Sequence, residues 1–257
     1  MAQGHLSIVG IGPGDLRLLT GQAIDVLSQA QLVVGYSAYL DLIAPLLGSE
    51  QIVQAYALTQ EVMRATEAVE AAERGQHVAI VSSGDAGIYG MAGLVFDVLA
   101  SRAWDPERGI TVDVIPGVSA LLAAAARVGA PLMHDFAAIS LSDLLTPREV
   151  IMRRLRFAAM GDFVTALYNP RSQKRTEPFD QACRIFQEER SALTPVALVR
   201  QAYRTQETIQ MVTVDNLFDA DVDMLTIVII GNSQTRVVNG RMVTPRGYRV
   251  EHNESSL

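Results

Sequence analysis

Residues 77–99, HVAIVSSGDAGIYGMAGLVFDVL, pass from an apolar run (His77 to Val81) through a glycine-rich turn (Ser82 to Gly90) into a helical pattern (Met91 to Leu99). A strand that ends in such a turn and continues as a helix is the repeating unit of an open α/β sheet, whose ligands bind at the carboxyl ends of the strands. Glycines 84, 87 and 90 leave the backbone uncovered for close approach by a ligand, and Asp85 can accept from ligand donors or cap the following helix. A small-molecule pocket and a plain N-cap with a tight turn account for these residues equally well.

The same alternation extends in both directions. Leu6 to Ile11 reads as a strand closed by Gly12-Pro13-Gly14, and a helix from Leu18 to Gln29 follows, with Thr20 placed to cap it. A second strand, Leu32–Val34, stops at Gly35. Helical patterns cover 39–47 and 61–74, the latter with Ala65, Ala68, Val69 and Ala72 on one face and Gly75 as its stop. Strand Thr111–Ile115 ends at Pro116-Gly117, and Ser119 is placed to start the helix Ala120–Val128. A strand-like run, Ala137–Leu141, closes the first half. Beyond it come a helix from Thr146-Pro147 to Met160, strand Phe163–Tyr168, helix Phe179–Glu189, and strands Pro195–Val199, Glu207–Thr213 and Leu225–Ile230. Strands that follow one another without a helix make the second sheet mixed. The expectation is two α/β domains, residues 1–143 with a mostly parallel sheet and 144–250 with a mixed sheet, and a frayed tail at 251–257.

Composition narrows the function. Cys183 is the lone cysteine and the four histidines (His5, His77, His134, His252) are scattered, so no thiol–imidazole cluster has metal-ligand spacing and no internal disulfide is possible. No metal site is expected. That cysteine usage fits a reducing cytoplasm, and no export or membrane-spanning segment is apparent. A net charge of −7 argues against nucleic acid as the main partner. The charge is uneven: residues 1–144 carry 6 basic and 15 acidic side chains, whereas 145–205 carry 11 and 6. All cations but Lys174 are arginines, whose planar fork binds carboxylates in pairs of hydrogen bonds. Arg171, Arg200 and Arg204 follow strand-like runs, where a site at a sheet end would place them. A polycarboxylate substrate suits that segment.

The first turn, Gly10-Ile11-Gly12-Pro13-Gly14-Asp15, resists a dinucleotide. Asp15 stands at the third glycine position, Pro13 removes a backbone donor, and Gly35-Tyr36 stands where a ribose-binding acid belongs. No P-loop is present. S-adenosylmethionine, with an adenosine, an amino-acid tail, a sulfonium cation and no phosphate, meets these demands.

Five strings, in order, carry a resemblance to the tetrapyrrole methylase family over nearly the whole chain. They are VGIGPGDLRLLT, SSGDAGIYGMA, PGVSALLAAAARVGAPL, LYNPRS and VALVRQAYRTQE. Within the family, VVGYSAYL, DFAAISLSDLLTP and NGRMVTPRGY look most like the precorrin-3B C(17)-methyltransferase branch, the ring-contracting step of corrin synthesis. The resemblance implies two α/β domains with the methyl donor in the cleft between them, a tetrapyrrole substrate and a homodimer. Carried over by motif, Pro13, Gly84, Asp85, Ala86, Ile88, Tyr89, Ser119, Ala120, Tyr168, Asn169 and Ala202 are expected to line the donor site. Ala86 replaces the family's usual proline, Asn169 stands where many relatives have methionine, and Tyr36 occupies a position that is acidic in the uroporphyrinogen branch. The last two departures count against a uroporphyrinogen substrate.

Methyl transfer from a sulfonium needs two reactants held in line more than it needs a nucleophile, and alignment can lower the barrier by about 7–11 kcal/mol. Ring contraction adds a demand for a general acid or base, for which Asp15, Tyr36 and His134 are the candidates. Arg171, Arg200 and Arg204 are expected to grip the carboxylate arms. Ser119 serves equally as a helix cap, Tyr89 and Tyr168 also fit as ordinary half-buried aromatics, and a histidine such as His134 is more often a satisfied structural residue than a base. Another methylase of the same fold, such as a diphthine synthase, and a non-catalytic module binding an adenosine-containing metabolite are the rival readings.

Overall fold

The computed structural model describes residues 3–248; the expected tail at 251–257 lies outside the described residues. The chain forms two compact units, one running to Ala123 with the short segment Ala202–Thr205, the other comprising Ala124–Gln201 and the chain from Gln206 onward.

The first unit contains β1 (His5–Gly10), α1 (Gly21–Gln29), β2 (Leu32–Tyr36), α2 (Ser37–Ile43), β3 (Ile52–Tyr56), α3 (Glu61–Glu73), β4 (His77–Ser82), α4 (Ala92–Ser101) and β5 (Thr111–Ile115). The strands form one parallel sheet in the order β3-β2-β4-β1-β5. Because helices cover both faces, the central strands are apolar on both sides rather than alternating. Leu6 and Ile8 of β1 pack with Ala65, Ala68 and Val69 of α3 and Val95 and Leu99 of α4. Val9 packs the opposite way, with Ala23 and Leu27 of α1 and Leu40 of α2. Thr20 caps α1 as expected, its hydroxyl oxygen accepting from the Ala23 N–H at 3.1 Å. The sequence pattern gave no strand at Ile52–Tyr56. This edge strand leaves Ile52 and Val53 exposed and carries Gln54 and Ala55, so neither alternation nor a solid apolar run marks it.

Helix α5 (Ala120–Val128) leads into the second unit, which holds β6 (Gly129–Ala130), β7 (Phe136–Ser140), α6 (Arg148–Met160), β8 (Val164–Tyr168), α7 (Glu177–Glu189), β9 (Pro195–Arg200), β10 (Thr208–Thr213), β11 (Thr226–Ile230), β12 (Arg236–Val238) and β13 (Arg241–Val243). Its main sheet is mixed, in the order β10-β9-β11-β8-β7, with β7 and β8 parallel and β11 antiparallel to both its neighbours. The strand expected at Ala137–Leu141 forms at Phe136–Ser140, but it joins this second sheet and not the first. Parallel neighbours need a helical crossover, α6 is that crossover, and β7-α6-β8 is therefore one βαβ unit. Leu155 of α6 and Phe179, Cys183 and Phe186 of α7 fill the core beneath it with Leu167, Leu198 and Val228. The strands β12, β13 and β6 make a separate small sheet. Among the described residues no helix is long and apolar enough to cross a membrane.

Candidate functional site

In the first unit the connections leave β1 and β4 toward opposite edges of the sheet, and a crevice at the carboxyl ends of two such strands is where open α/β sheets bind ligands. The two loops meet there. Gly12 donates to the Gly84 carbonyl at 3.0 Å and Gly84 donates to the Gly12 carbonyl at 2.7 Å. The turn after β5 closes on the same point, where a methyl group on Gly117 would lie 2.2 Å from the Gly84 oxygen and one on Gly10 would lie 2.8 Å from the Gly117 nitrogen. Three turns thus pack backbone against backbone, which only glycine allows.

Asp85 ties two of them together. One carboxylate oxygen accepts from the Gly87 N–H at 2.8 Å and the other from the Gly117 N–H at 3.0 Å. Ala86 and Ser119 are buried, and the Ser119 hydroxyl oxygen accepts from the Leu122 N–H at 3.3 Å, so it caps α5. Ile88 and Tyr89 are exposed, and Tyr89 is held at a φ of +54°, an uncommon conformation for a side chain of that size. Ala120 is half-buried and Ala202 buried.

Of the three arginines expected to grip substrate, Arg204 lies in this unit. Its Nε donates to the Pro13 carbonyl at 2.7 Å and Nη2 donates to the Ser83 hydroxyl at 3.2 Å, and its stem lies against Gly14. Among the described residues it has no carboxylate within ion-pair distance, and burial lowers its pKa. Arg171 and Arg200, in the second unit, are already paired. Arg171 donates to Asp180 at 2.7 Å and to the carbonyls of Phe218 and Ala220, and stacks over the Phe179 ring at 4.7 Å. Arg200 donates to Asp223 at 2.7 Å.

The acid–base candidates also separate. Asp15 starts a short 3-10 turn and takes both the backbone N–H and the guanidinium of Arg17, which hold its carboxyl down to about 2. It is therefore ionised at neutral pH and can accept but not donate a proton. Tyr36, at the end of β2, meets Tyr39 edge to face with ring centroids 5.1 Å apart. His134 is exposed in the second unit, its Nδ1 accepting from the Asp135 N–H at 2.9 Å. In that unit Tyr168 is buried at the end of β8, and Asn169 follows with a φ of +53° and donates to the Ser140 hydroxyl at 3.0 Å.

Two residues beside the first unit's loops escaped the sequence reading. Tyr39 is half-buried and lies in the field of both Arg204 and Arg64. Arg64 is 4% exposed on α3, a helix whose sequence shows only an apolar face backed by acids. The cue available was an arginine one position ahead of the Ala65–Ala68–Val69 core stripe.

Comparison with known proteins identifies the family. The family model for tetrapyrrole (corrin/porphyrin) methylases matches residues 5–217. The cobalt-factor III methyltransferase of Priestia megaterium is 46% identical over 96% of this chain, which spans only 46% of that protein's length. A probable cobalt-factor III C(17)-methyltransferase of Salmonella typhimurium is 45% identical over 95% of this chain and 99% of its own. A precorrin-3B C(17)-methyltransferase of a Sinorhizobium species is 40% identical over 95% of this chain and 97% of its own. The crystal structure of the methyltransferase CobJ superposes with a TM-score of 0.87 at 38% identity, covering 94% of this chain and all of that one. With the glycine turns, the Asp85 staple and these matches together, the chain belongs to the tetrapyrrole (corrin/porphyrin) methylases.

Proposed function

We propose that this chain transfers a methyl group from S-adenosylmethionine to carbon 17 of a precorrin-3B-type macrocycle, with contraction of the ring, and that it works in the cytoplasm as a homodimer. The observation that carries the reading is the cradle of Gly10, Gly84 and Gly117 with the Asp85 carboxylate stapled across it. Bare backbone suits a nucleoside with an amino-acid tail, and the carboxylate opposes phosphate while tolerating a sulfonium cation. The donor supplies an activated methyl with a neutral thioether as its leaving group. Pro13, Gly84, Asp85, Ala86, Ile88 and Tyr89 hold that donor, with Ser119, Ala120 and Ala202 behind them.

What the protein then contributes is alignment and exclusion of water. Arg204 is the arginine of the expected three that is best placed to take a substrate carboxylate, since its present acceptors, a carbonyl and a hydroxyl, are neutral. Arg171 and Arg200 brace the second unit instead. For the proton handled during ring contraction, Tyr36 is the group favoured by position, at the carboxyl end of β2 and edge-on to Tyr39. The names of the Priestia and Salmonella relatives favour a macrocycle that already carries cobalt; no side chain is required to ligate a metal the ring holds.

Titration calorimetry tests the donor site. Saturable heat with S-adenosylhomocysteine and none with NADH or ATP is expected; the reverse pattern refutes the proposal. Donor binding with no turnover of either the metal-free or the cobalt-bearing macrocycle leaves only a binding module.

A further inference from the structure

Arg64 occupies the first turn of α3, where the helix dipole already disfavours a cation. It is 4% exposed, and its Nε and Nη1 are buried without a hydrogen-bond partner. Among the described residues Nη2 reaches only the thioether sulfur of Met91, at 2.9 Å. Glu61 lies in its field but does not reach ion-pair distance. Glu61 accepts from the Thr59 N–H, and Glu67 accepts from the Tyr56 hydroxyl and from Gln54. Among the described residues no carboxylate lies within ion-pair distance of Arg64. A buried guanidinium without an ion-pair partner is costly, and packing alone would be better served by an apolar side chain of similar volume.

Its place in the fold gives the charge a use. Met91 directly follows the glycine loop after β4, and the Ala92 N–H donates to the Ala86 carbonyl inside that loop. Arg64 therefore lies against the end of the proposed donor cradle, and its charge is felt by Tyr39, which follows β2. A thioether is a weak acceptor on a flexible stem, readily displaced by a carboxylate that can take two N–H donors of a guanidinium at once.

We propose that Arg64 is a recognition residue for the macrocycle, anchoring one of its carboxylate arms after the Met91 side chain swings aside. The inference rests on the tetrapyrrole methyltransferase reading and adds a substrate contact to it. Before substrate arrives the guanidinium has no ion-pair partner among the described residues, so binding and stability are opposed at this position.

The test uses the full chain as wild type, Arg64→Met and Arg64→Lys, with three readouts: the KM for precorrin-3B in its metal-free and cobalt-bearing forms, the Kd for S-adenosylhomocysteine, and the melting midpoint. Arg64→Met is expected to melt higher than wild type, to bind S-adenosylhomocysteine unchanged, and to raise the macrocycle KM about tenfold or more, as loss of one charged contact does. Arg64→Lys should fall between. A purely structural arginine gives the opposite pattern, a lower midpoint with KM unaltered, and that result overturns the proposal. Should Arg64→Met not fold, an Arg64→Lys KM within about twofold of wild type overturns it equally. If wild type binds S-adenosylhomocysteine but turns over neither macrocycle, the proposed function has failed and this inference falls with it.

Discussion

The Asp85 carboxylate accepts the Gly117 N–H at 3.0 Å, so one side chain fixes the loop after β4 to the turn after β5. Its other oxygen holds the Gly87 N–H at 2.8 Å. Hydrogen bonds to an ionised acceptor contribute about 1.5–3 kcal/mol each, and removing both leaves two N–H groups without partners. Asp85→Ala should lower unfolding stability by about 3–6 kcal/mol in denaturant melts and weaken S-adenosylhomocysteine binding by at least tenfold. Asp85→Asn, which keeps one acceptor oxygen, should lose about half as much stability. Equal affinity in both variants and wild type would separate this staple from the donor site.

Gly84 and Gly117 touch across the same point, yet alanine should affect them unequally. At Gly117 a new methyl would sit 2.2 Å from the Gly84 oxygen, and neither backbone can retreat without breaking the junction. At Gly84 the nearest atom is 3.4 Å away and only the φ of +70° is unfavourable. Gly84→Ala should therefore cost about 1–2 kcal/mol, the penalty of a left-handed residue, while Gly117→Ala should cost more than about 3 kcal/mol or fail to fold. Urea unfolding of the two proteins checks the ranking.

Arg171 and Arg204 differ in their acceptors, which sets a bracing arginine apart from the one proposed to take substrate. Arg171 joins Asp180, two carbonyls and the Phe179 ring, so Arg171→Ala should destabilise the chain by about 2–4 kcal/mol with little change in KM. Arg204→Ala should instead raise the substrate KM, and also loosen the Pro13 turn that its Nε holds. Steady-state kinetics beside thermal melts of both variants decides between the two roles.

Asp15 should show its Arg17 partner in a titration. Its pKa is held near 2, below the ordinary 3.8, so the pairing stabilises the fold above about pH 4 and is lost as the pH falls toward 2. Carboxyl carbon NMR should find Asp15 still largely ionised at pH 3 in wild type. In Arg17→Ala the midpoint should move back toward the ordinary value. An unchanged midpoint would remove Arg17 as the cause.

Much of this was legible in the residues. The run His77–Val81 with its glycine turn declares a parallel α/β sheet, and Thr20, Ser119 and Gly75 mark helix ends where the structure has them. Pairing partners were harder to read. The apolar pattern of Phe136–Ser140 identifies a strand but carries nothing about which sheet accepts it, and only the α6 crossover assigns it to β8. The hairpin of β12 and β13 had a local cue in Asn239-Gly240, both at positive φ, as a two-residue hairpin turn requires. At the site, the glycine turns and Asp85 were visible because backbone geometry restricts which residues fit there. The arginines were not, because a charge-rich segment does not say which guanidinium already has a carboxylate. Arg171 and Arg200 do; Arg64, from the acidic half of the chain, has none among the described residues.

The most direct test follows the methyl group itself. The protein is incubated with S-adenosylmethionine labelled with carbon-13 in the methyl, together with precorrin-3B or its cobalt form, and the product is read by NMR. One labelled methyl on carbon 17 of a contracted ring is the expected result. Label on another ring carbon, label in the protein alone, or bound donor with an untouched macrocycle would contradict it.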